Sequence, residues 1–195
     1  MNILGIQIGR QTTPSTITRA GSADGLWPVA MRATLSGDFT LTAALGVQTA
    51  FPTTIDVVTL EAATAYAVKG RYFMTTGTTT TKTTAIAFLA GGGLTITSMA
   101  LAVRGYNATA NTTVTATNGL YMDRLATTVV TATATTAGVT IEFEGTIRVN
   151  AGGTLTPQIN FSANPGGTNL MKANSFIEFI PIGTNTSTST SPSFA

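Results

Sequence analysis

The chain has 195 residues, of which 43% are hydrophobic and only 9% charged, with ten basic residues against eight acidic ones and neither Cys nor His. Soluble proteins usually carry about 25% charge, and the net +2 here comes without any Lys/Arg run, so the sequence holds no electrostatic footprint for nucleic acid. The absence of Cys and His excludes disulfides, thiolate metal sites and the Ser/His/Asp and Cys/His nucleophile systems.

What replaces charge on the surface is threonine, at 42 residues. Thr is β-branched and favours strands, and its hydroxyl keeps an outward face wet without ionising. The length fits one domain, or one domain with an arm, and a chain of this size buries roughly 70% of its unfolded surface. Residues 1–10 (MNILGIQIGR) lack the basic start and long apolar core of a signal peptide. No stretch approaches the run of about 18 apolar residues that a membrane helix needs. Synthesis in a cytoplasm and no membrane partner are the expectation.

Residues 1–55 show weak periodicity, apart from a strand pattern at 39–44, and carry Pro14, Pro28, Pro52 and the single Trp27. They read as an extended arm or a small appended layer. Leu26, Trp27, Pro28, Val29 and Met31 are too apolar for a solvated tail and mark where the arm docks.

From Thr59 the pattern sharpens. Tyr66, Val68, Gly70, Tyr72 and Met74 alternate with Ala67, Lys69, Arg71 and Phe73, a period-two strand. The Thr-rich 75–82 is a polar loop, 85–89 a short buried strand, Gly91-Gly92-Gly93 a turn, and 94–104 another strand. Residues 105–119 read as a polar connection and 125–136 as a Thr/Val/Ala strand. Val139, Ile141, Phe143, Gly145, Ile147 and Val149 then alternate with Thr140, Glu142, Glu144, Thr146 and Arg148, the clearest half-buried strand. Leu155, Pro157, Ile159 and Phe161 form the inward side of the next, before the turn Asn164-Pro165-Gly166-Gly167. The last strand, 175–182, is apolar on both sides: Phe176, Ile180 and Ile182 on one, Ile177 and Phe179 on the other. A sandwich core uses one face, so the second face wants a partner. The low-complexity 184–195 reads as a polar tail.

Eight or nine strands with turns about every ten residues, and no amphipathic helix, predict an all-β sandwich or jelly roll. The organisation expected is an arm at 1–55, a β-domain at 56–183 and a tail at 184–195.

Candidate chemistry is sparse. Glu142 and Glu144 are the one close carboxylate pair; two apart on a strand they sit on one face about 6.5–7 Å apart, near glycosidase separations. Their neighbours Ile141 and Phe143 belong to the core side, so the pair reads as an exposed polar face. Asp123-Arg124 reads as a loop ion pair worth under about 1 kcal/mol. The stretch 77–83 (GTTTTKT) lacks the glycine before Lys82 that a phosphate loop requires. Asp24, Asp38, Asp56 and Asp123 are scattered rather than clustered for calcium. The glycosylation-type triplets at Asn107, Asn111 and Asn185 are chance matches in a Thr-rich chain. The expectation is a non-enzyme without metal or cofactor.

The stretch GTIRVNAGGTLTPQINFSANPGGTNLMKANSFIEFIPIG (145–183), together with LEAATAYAVKGRYF (60–73), resembles the C1q/TNF-like jelly-roll domains of tailed-bacteriophage virion proteins, over roughly 57–183. The resemblance implies a homotrimer whose axis is lined from the last and early strands, with Tyr66, Tyr72, Phe176, Ile180 and Ile182 as the candidate residues. It implies a virion role: a capsid decoration (cement) protein on the outer capsid surface, bridging copies of the major capsid protein, or alternatively a head fibre or the receptor-binding tip of a fibre. For a glycan-binding tip, Tyr106 and Tyr121 are the aromatics near loops.

Overall fold

The structure, a computed structural model, describes residues 30–77, 82–108, 117–122 and 138–185. Twelve strands lie among them: β1 (Met31–Thr34), β2 (Phe39–Leu41), β3 (Gly46–Thr49), β4 (Val58–Leu60), β5 (Thr64–Thr75), β6 (Thr84–Gly91), β7 (Thr95–Ala108), β8 (Thr117–Met122), β9 (Gly138–Ala151), β10 (Gly153–Phe161), β11 (Asn169–Met171) and β12 (Phe176–Thr184). They form two antiparallel sheets. The wide sheet runs β1-β12-β5-β9-β7-β8, with β11 beside the far end of β5 and β2 outside β11. In the narrow sheet β10 is central, flanked by β6 on one side and by β3 and β4 on the other.

The period-two strands fold as their patterns require. Along β5 and β9 the apolar set faces inward and the charged set outward. Tyr66, Tyr72, Ile141 and Ile147 of the wide sheet meet Ile86, Leu155, Ile159 and Phe161 of the narrow one in a single buried core. This is a two-sheet β-sandwich. Four rings cross the core edge to face: Phe51 to Tyr72 (centroids 5.6 Å apart), Tyr72 to Phe143 (5.1 Å) and Phe143 to Phe88 (6.2 Å). Each such contact adds about 0.5–1.5 kcal/mol beyond its buried area. Phe143 has room because its cross-strand partner is Gly70; a Cβ there would lie 2.1 Å from the ring. Gly145 serves a different purpose. A Cβ at this position would lie 1.9 Å from the carbonyl oxygen of Ala100, so glycine lets β7 and β9 close up.

The expected arm boundary at residue 55 does not appear in the fold. Residues 31–49 supply β1 and β2 to the wide sheet and β3 to the narrow one, and Leu35, Leu41, Ala50 and Phe51 are buried. Strands of three or four residues are too short to display an alternation, which is why this region reads as irregular. The expected connection 105–119 is corrected as well: β7 continues to Ala108 and β8 begins at Thr117, because pairing with β9 along its whole length holds β7 extended. The strand expected at 125–136 lies outside the described residues, and of the tail expected at 184–195 only Thr184, which ends β12, and Asn185, whose N–H bonds the Ala63 carbonyl, are described.

Candidate interaction surfaces

The outer face of the wide sheet gathers the chain's charge. Arg32, Glu178, Lys69 and Glu144 follow one another across β1, β12, β5 and β9, and Arg71, Glu142 and Arg104 do so across β5, β9 and β7. Arg148 joins them further along β9, so the face holds five of the ten basic and three of the eight acidic residues. Signs alternate from strand to strand, as favourable cross-strand pairing requires. Arg71 Nη2 reaches Glu142 Oε1 at 2.7 Å, and Arg32 Nη1 reaches Glu178 Oε2 at 3.5 Å. Both pairs are partly exposed and are worth about 0.2–1 kcal/mol each. Glu142 and Glu144 therefore sit on an open sheet face, and Glu142 is engaged by Arg71. A hollow of about 250 Å³ lies there, bordered by Lys69, Arg71, Arg104, Glu142, Glu144 and Phe176.

The outer face of the narrow sheet is its opposite. Thr154, Thr156, Gln158 and Asn160 of β10 alternate with buried Leu155, Pro157, Ile159 and Phe161. Beside them lie Val47, Thr49, Thr59, Ala87 and Leu89. Among the described residues this face carries no charged side chain. Leu45, Val47, Val57 and Leu89 are each more than half exposed.

A cleft of about 460 Å³ opens at the side of the sandwich, between β1 and residues 53–59. Its floor is apolar, from Ile55, Val58, Ile177 and Phe179. Asp56 borders it, only 8% exposed and with no hydrogen bond or ion pair among the described residues.

The five residues expected at a trimer axis are not brought together. Tyr66 and Tyr72 lie in the core, on the inward side of β5, and are not at a surface of the chain. The Tyr66 hydroxyl accepts the Glu61 N–H at 2.8 Å and so braces the turn into β5. Phe176 and Ile180 are on the outward side of β12, half-buried, and Ile182 is exposed where a bulge breaks the register. The Arg32 guanidinium covers Phe176, 4.1 Å from the ring centroid, so part of the second apolar face of β12 is shielded within the chain. Of the expected docking residues, Leu26, Trp27, Pro28 and Val29 lie outside the described residues. Met31 pairs with Phe179 in β1 and packs against the core, so it is a sandwich residue.

Lys82, at 2% exposure, donates to the Gly77 carbonyl at 2.6 Å, and burial pulls its pKa down. Asn169 accepts the Gly77 N–H at 2.9 Å, so both side chains serve the same corner. Asp38 accepts the Ala173 N–H at 3.0 Å and pairs with Lys172, which together hold its carboxyl below the ordinary value. Asp56, the cleft and the uncharged narrow face were not read from the sequence. The signal for Asp56 was a lone carboxylate inside the apolar run Ile55-Asp56-Val57-Val58.

Fold and faces define a class, the antiparallel two-sheet β-sandwich in which, among the described residues, one outer face is charged and the other is not. No family model and no curated protein matches the chain. It is similar to a chain in the structure of the infectious bursal disease virus Gx strain, with 14% identity and a TM-score of 0.20, over 80% of this chain and 42% of that one. A chain in the structure of the Gt strain of the same virus gives 15% identity and a TM-score of 0.21, over 93% and 45%. The chain thus spans less than half the length of these viral chains. Superpositions of this quality do not establish a shared fold.

Proposed function

We propose that the chain is a non-enzymatic structural protein of a virion: a homotrimeric decoration (cement) protein on the outer capsid surface of a tailed bacteriophage, made in the host cytoplasm. The observation that carries this reading is the segregation of charge between the two outer faces. A charged face suits water. An uncharged face displaying Val47 and Leu89 suits a protein neighbour, because interface cores are depleted in charge.

The jelly-roll reading is supported by how the chain threads the sheets. From β4 to β7 the strands alternate, narrow, wide, narrow, wide; β8 and β9 then stay in the wide sheet, β10 crosses to the narrow one, and β11 and β12 return to the wide one. Trimerisation rests on the sequence resemblance of 145–183. In this reading the sandwich is a rigid hub, and the segment around Leu26-Trp27-Pro28-Val29 supplies feet that contact the major capsid protein. Three weak feet on one trimer act together through effective concentration, and threefold symmetry matches three- or quasi-threefold positions on a shell. Trp is a frequent interface anchor.

The test combines sedimentation with binding to purified heads. Trp27→Ala should leave the trimer intact and weaken head binding. Undiminished binding removes the docking role, and a well-folded monomer at micromolar concentration removes the trimer.

A second reading, the receptor-binding tip of a fibre, is favoured by Phe73 and Tyr106. They flank Thr140 across β5, β9 and β7 at one end of the wide sheet, an aromatic pair suited to a sugar ring. Copy number separates the two: many copies over the head for cement, few copies at one location for a fibre.

A further inference from the structure

We infer that the outward side of the wide sheet binds a carboxylated oligosaccharide, with one ring over Thr140 between Phe73 and Tyr106 and its carboxylate on Arg104. The inference rests on the sugar-binding reading of the two aromatics, and it holds whether the protein sits on a head or at a fibre tip.

Phe73, Thr140 and Tyr106 lie opposite one another on β5, β9 and β7. Neighbouring strands are about 4.8 Å apart, so the backbones under the two aromatic side chains stand about 9–10 Å apart. Thr140 is the short member of this row and leaves a gap between them. All three side chains are on the outward side and half-buried. An aromatic wall packs the apolar side of a sugar ring, and the Thr140 hydroxyl offers a donor and an acceptor to its rim.

The next outward row, Arg71, Glu142 and Arg104, follows about 6.5–7 Å along the strands. Glu142 is engaged on one side by Arg71, at 2.7 Å. Arg104, its neighbour on the other side, is exposed and makes no hydrogen bond or ion pair with the described residues. It stands two residues from Tyr106 on the same side of β7. A guanidinium holds a carboxylate through two parallel N–H donors, so a ring seated over Thr140 is best completed by a carboxylate directed at this row.

The third row widens the site. Lys69 lies opposite Glu144, and Ala102 lies beside Glu144 on β7. The short Ala102 side chain opens the hollow of about 250 Å³. Lys69 and Glu144 make no hydrogen bond or ion pair with the described residues and are free for the hydroxyls of a second ring. Three cations against two carboxylates border the hollow, a balance that favours an anionic ligand. The site runs along the strands from the aromatic row to the hollow, which suits an oligosaccharide better than a single sugar. It stays open to solvent when the neutral face of the sandwich lies against protein.

The test is calorimetric titration of the full chain with tri-galacturonate and its carboxyl-reduced form, and with sialyllactose and lactose. At least one acidic sugar should bind about five- to tenfold more tightly than its neutral counterpart, and added salt should narrow the gap. Arg104→Gln should bring the acidic sugar down to the neutral one. Glu142→Gln should raise the acid preference, because it removes a competing carboxylate and frees Arg71. Tyr106→Ala should weaken acidic and neutral sugars alike. Unchanged thermal midpoints show that the variants fold. Equal binding of acidic and neutral sugars overturns the inference and leaves the aromatic pair as a sugar site. Binding of none of the four overturns both. An acid preference that survives Arg104→Gln or fails to rise with Glu142→Gln overturns the assignment to this row, and binding untouched by Tyr106→Ala overturns the seat over Thr140.

Discussion

Phe143 lies opposite Gly70 in the β5–β9 ladder, and its ring fills the space that a side chain at 70 would need. The pair lets the ring reach Tyr72 on one side and Phe88 on the other, and so couples the two sheets. Gly70→Ala should therefore overpack the core and cost about 1–3 kcal/mol, read as a fall in the urea midpoint. Phe143→Leu should cost less in the Gly70→Ala background than in the wild type, because the smaller side chain vacates the contested space.

Tyr72 and Tyr66 are both buried but differ in their hydroxyls. The Tyr72 hydroxyl has no hydrogen-bond partner, while that of Tyr66 accepts the Glu61 N–H. Tyr72→Phe should be neutral or stabilising, whereas Tyr66→Phe should cost about 0.5–1.5 kcal/mol. Denaturation of the two variants side by side checks the contrast.

Burial alone pushes the Tyr72 phenol above its ordinary pKa. The folded state thus favours the protonated phenol. Its contribution is complete below the unfolded value of about 10 and is lost as pH rises above it. Stability of the wild type should fall above about pH 10 more steeply than that of Tyr72→Phe, measured by thermal unfolding across pH 9–12.

Asp38 has the opposite sign. Lys172 and the Ala173 N–H lower its pKa, so its contribution is present above the ordinary carboxylate value of about 3.9 and is lost as pH falls through the lowered one. Exchange at the Ala173 amide should quicken in that acidic window, and Asp38→Asn should remove most of the pH dependence at this site.

The uncharged narrow face is the one expected to meet protein. Leu89→Lys and Val47→Lys place charge on it at positions already more than half exposed, so each should change stability by no more than about 0.5 kcal/mol. Both should lower the sedimentation coefficient or head binding. Lys69→Glu, on the charged face, should do neither. Equal effects from the two faces would remove the assignment.

The long strands were legible because side-chain alternation is a local property. Tyr66, Val68, Tyr72 and Met74 were bound to face inward together, as were Ile141, Phe143, Ile147 and Val149, and the buried sides of β5 and β9 follow those patterns. The short strands β1, β2 and β3 were not legible, since a strand of three or four residues is held extended by its neighbours more than by its own pattern. The candidate surfaces suffered similarly. Tyr66 and Tyr72 looked like interface aromatics until the narrow sheet covered them, and Val47 and Leu89 drew no notice until β10 set them on one outer face.

By itself the sequence determined an all-β chain poor in charge, with two faces to each long strand and turns where Gly and Pro gather, because each of these depends on residues adjacent in the chain. Only the tertiary structure decided which strands neighbour one another. That pairing collected the charges of β1, β5, β7, β9 and β12 on one face, left the other face neutral, and opened an apolar cleft beside Asp56. Register between distant strands is set by how two whole sheets bury their inner sides together, and no window along the chain contains that information.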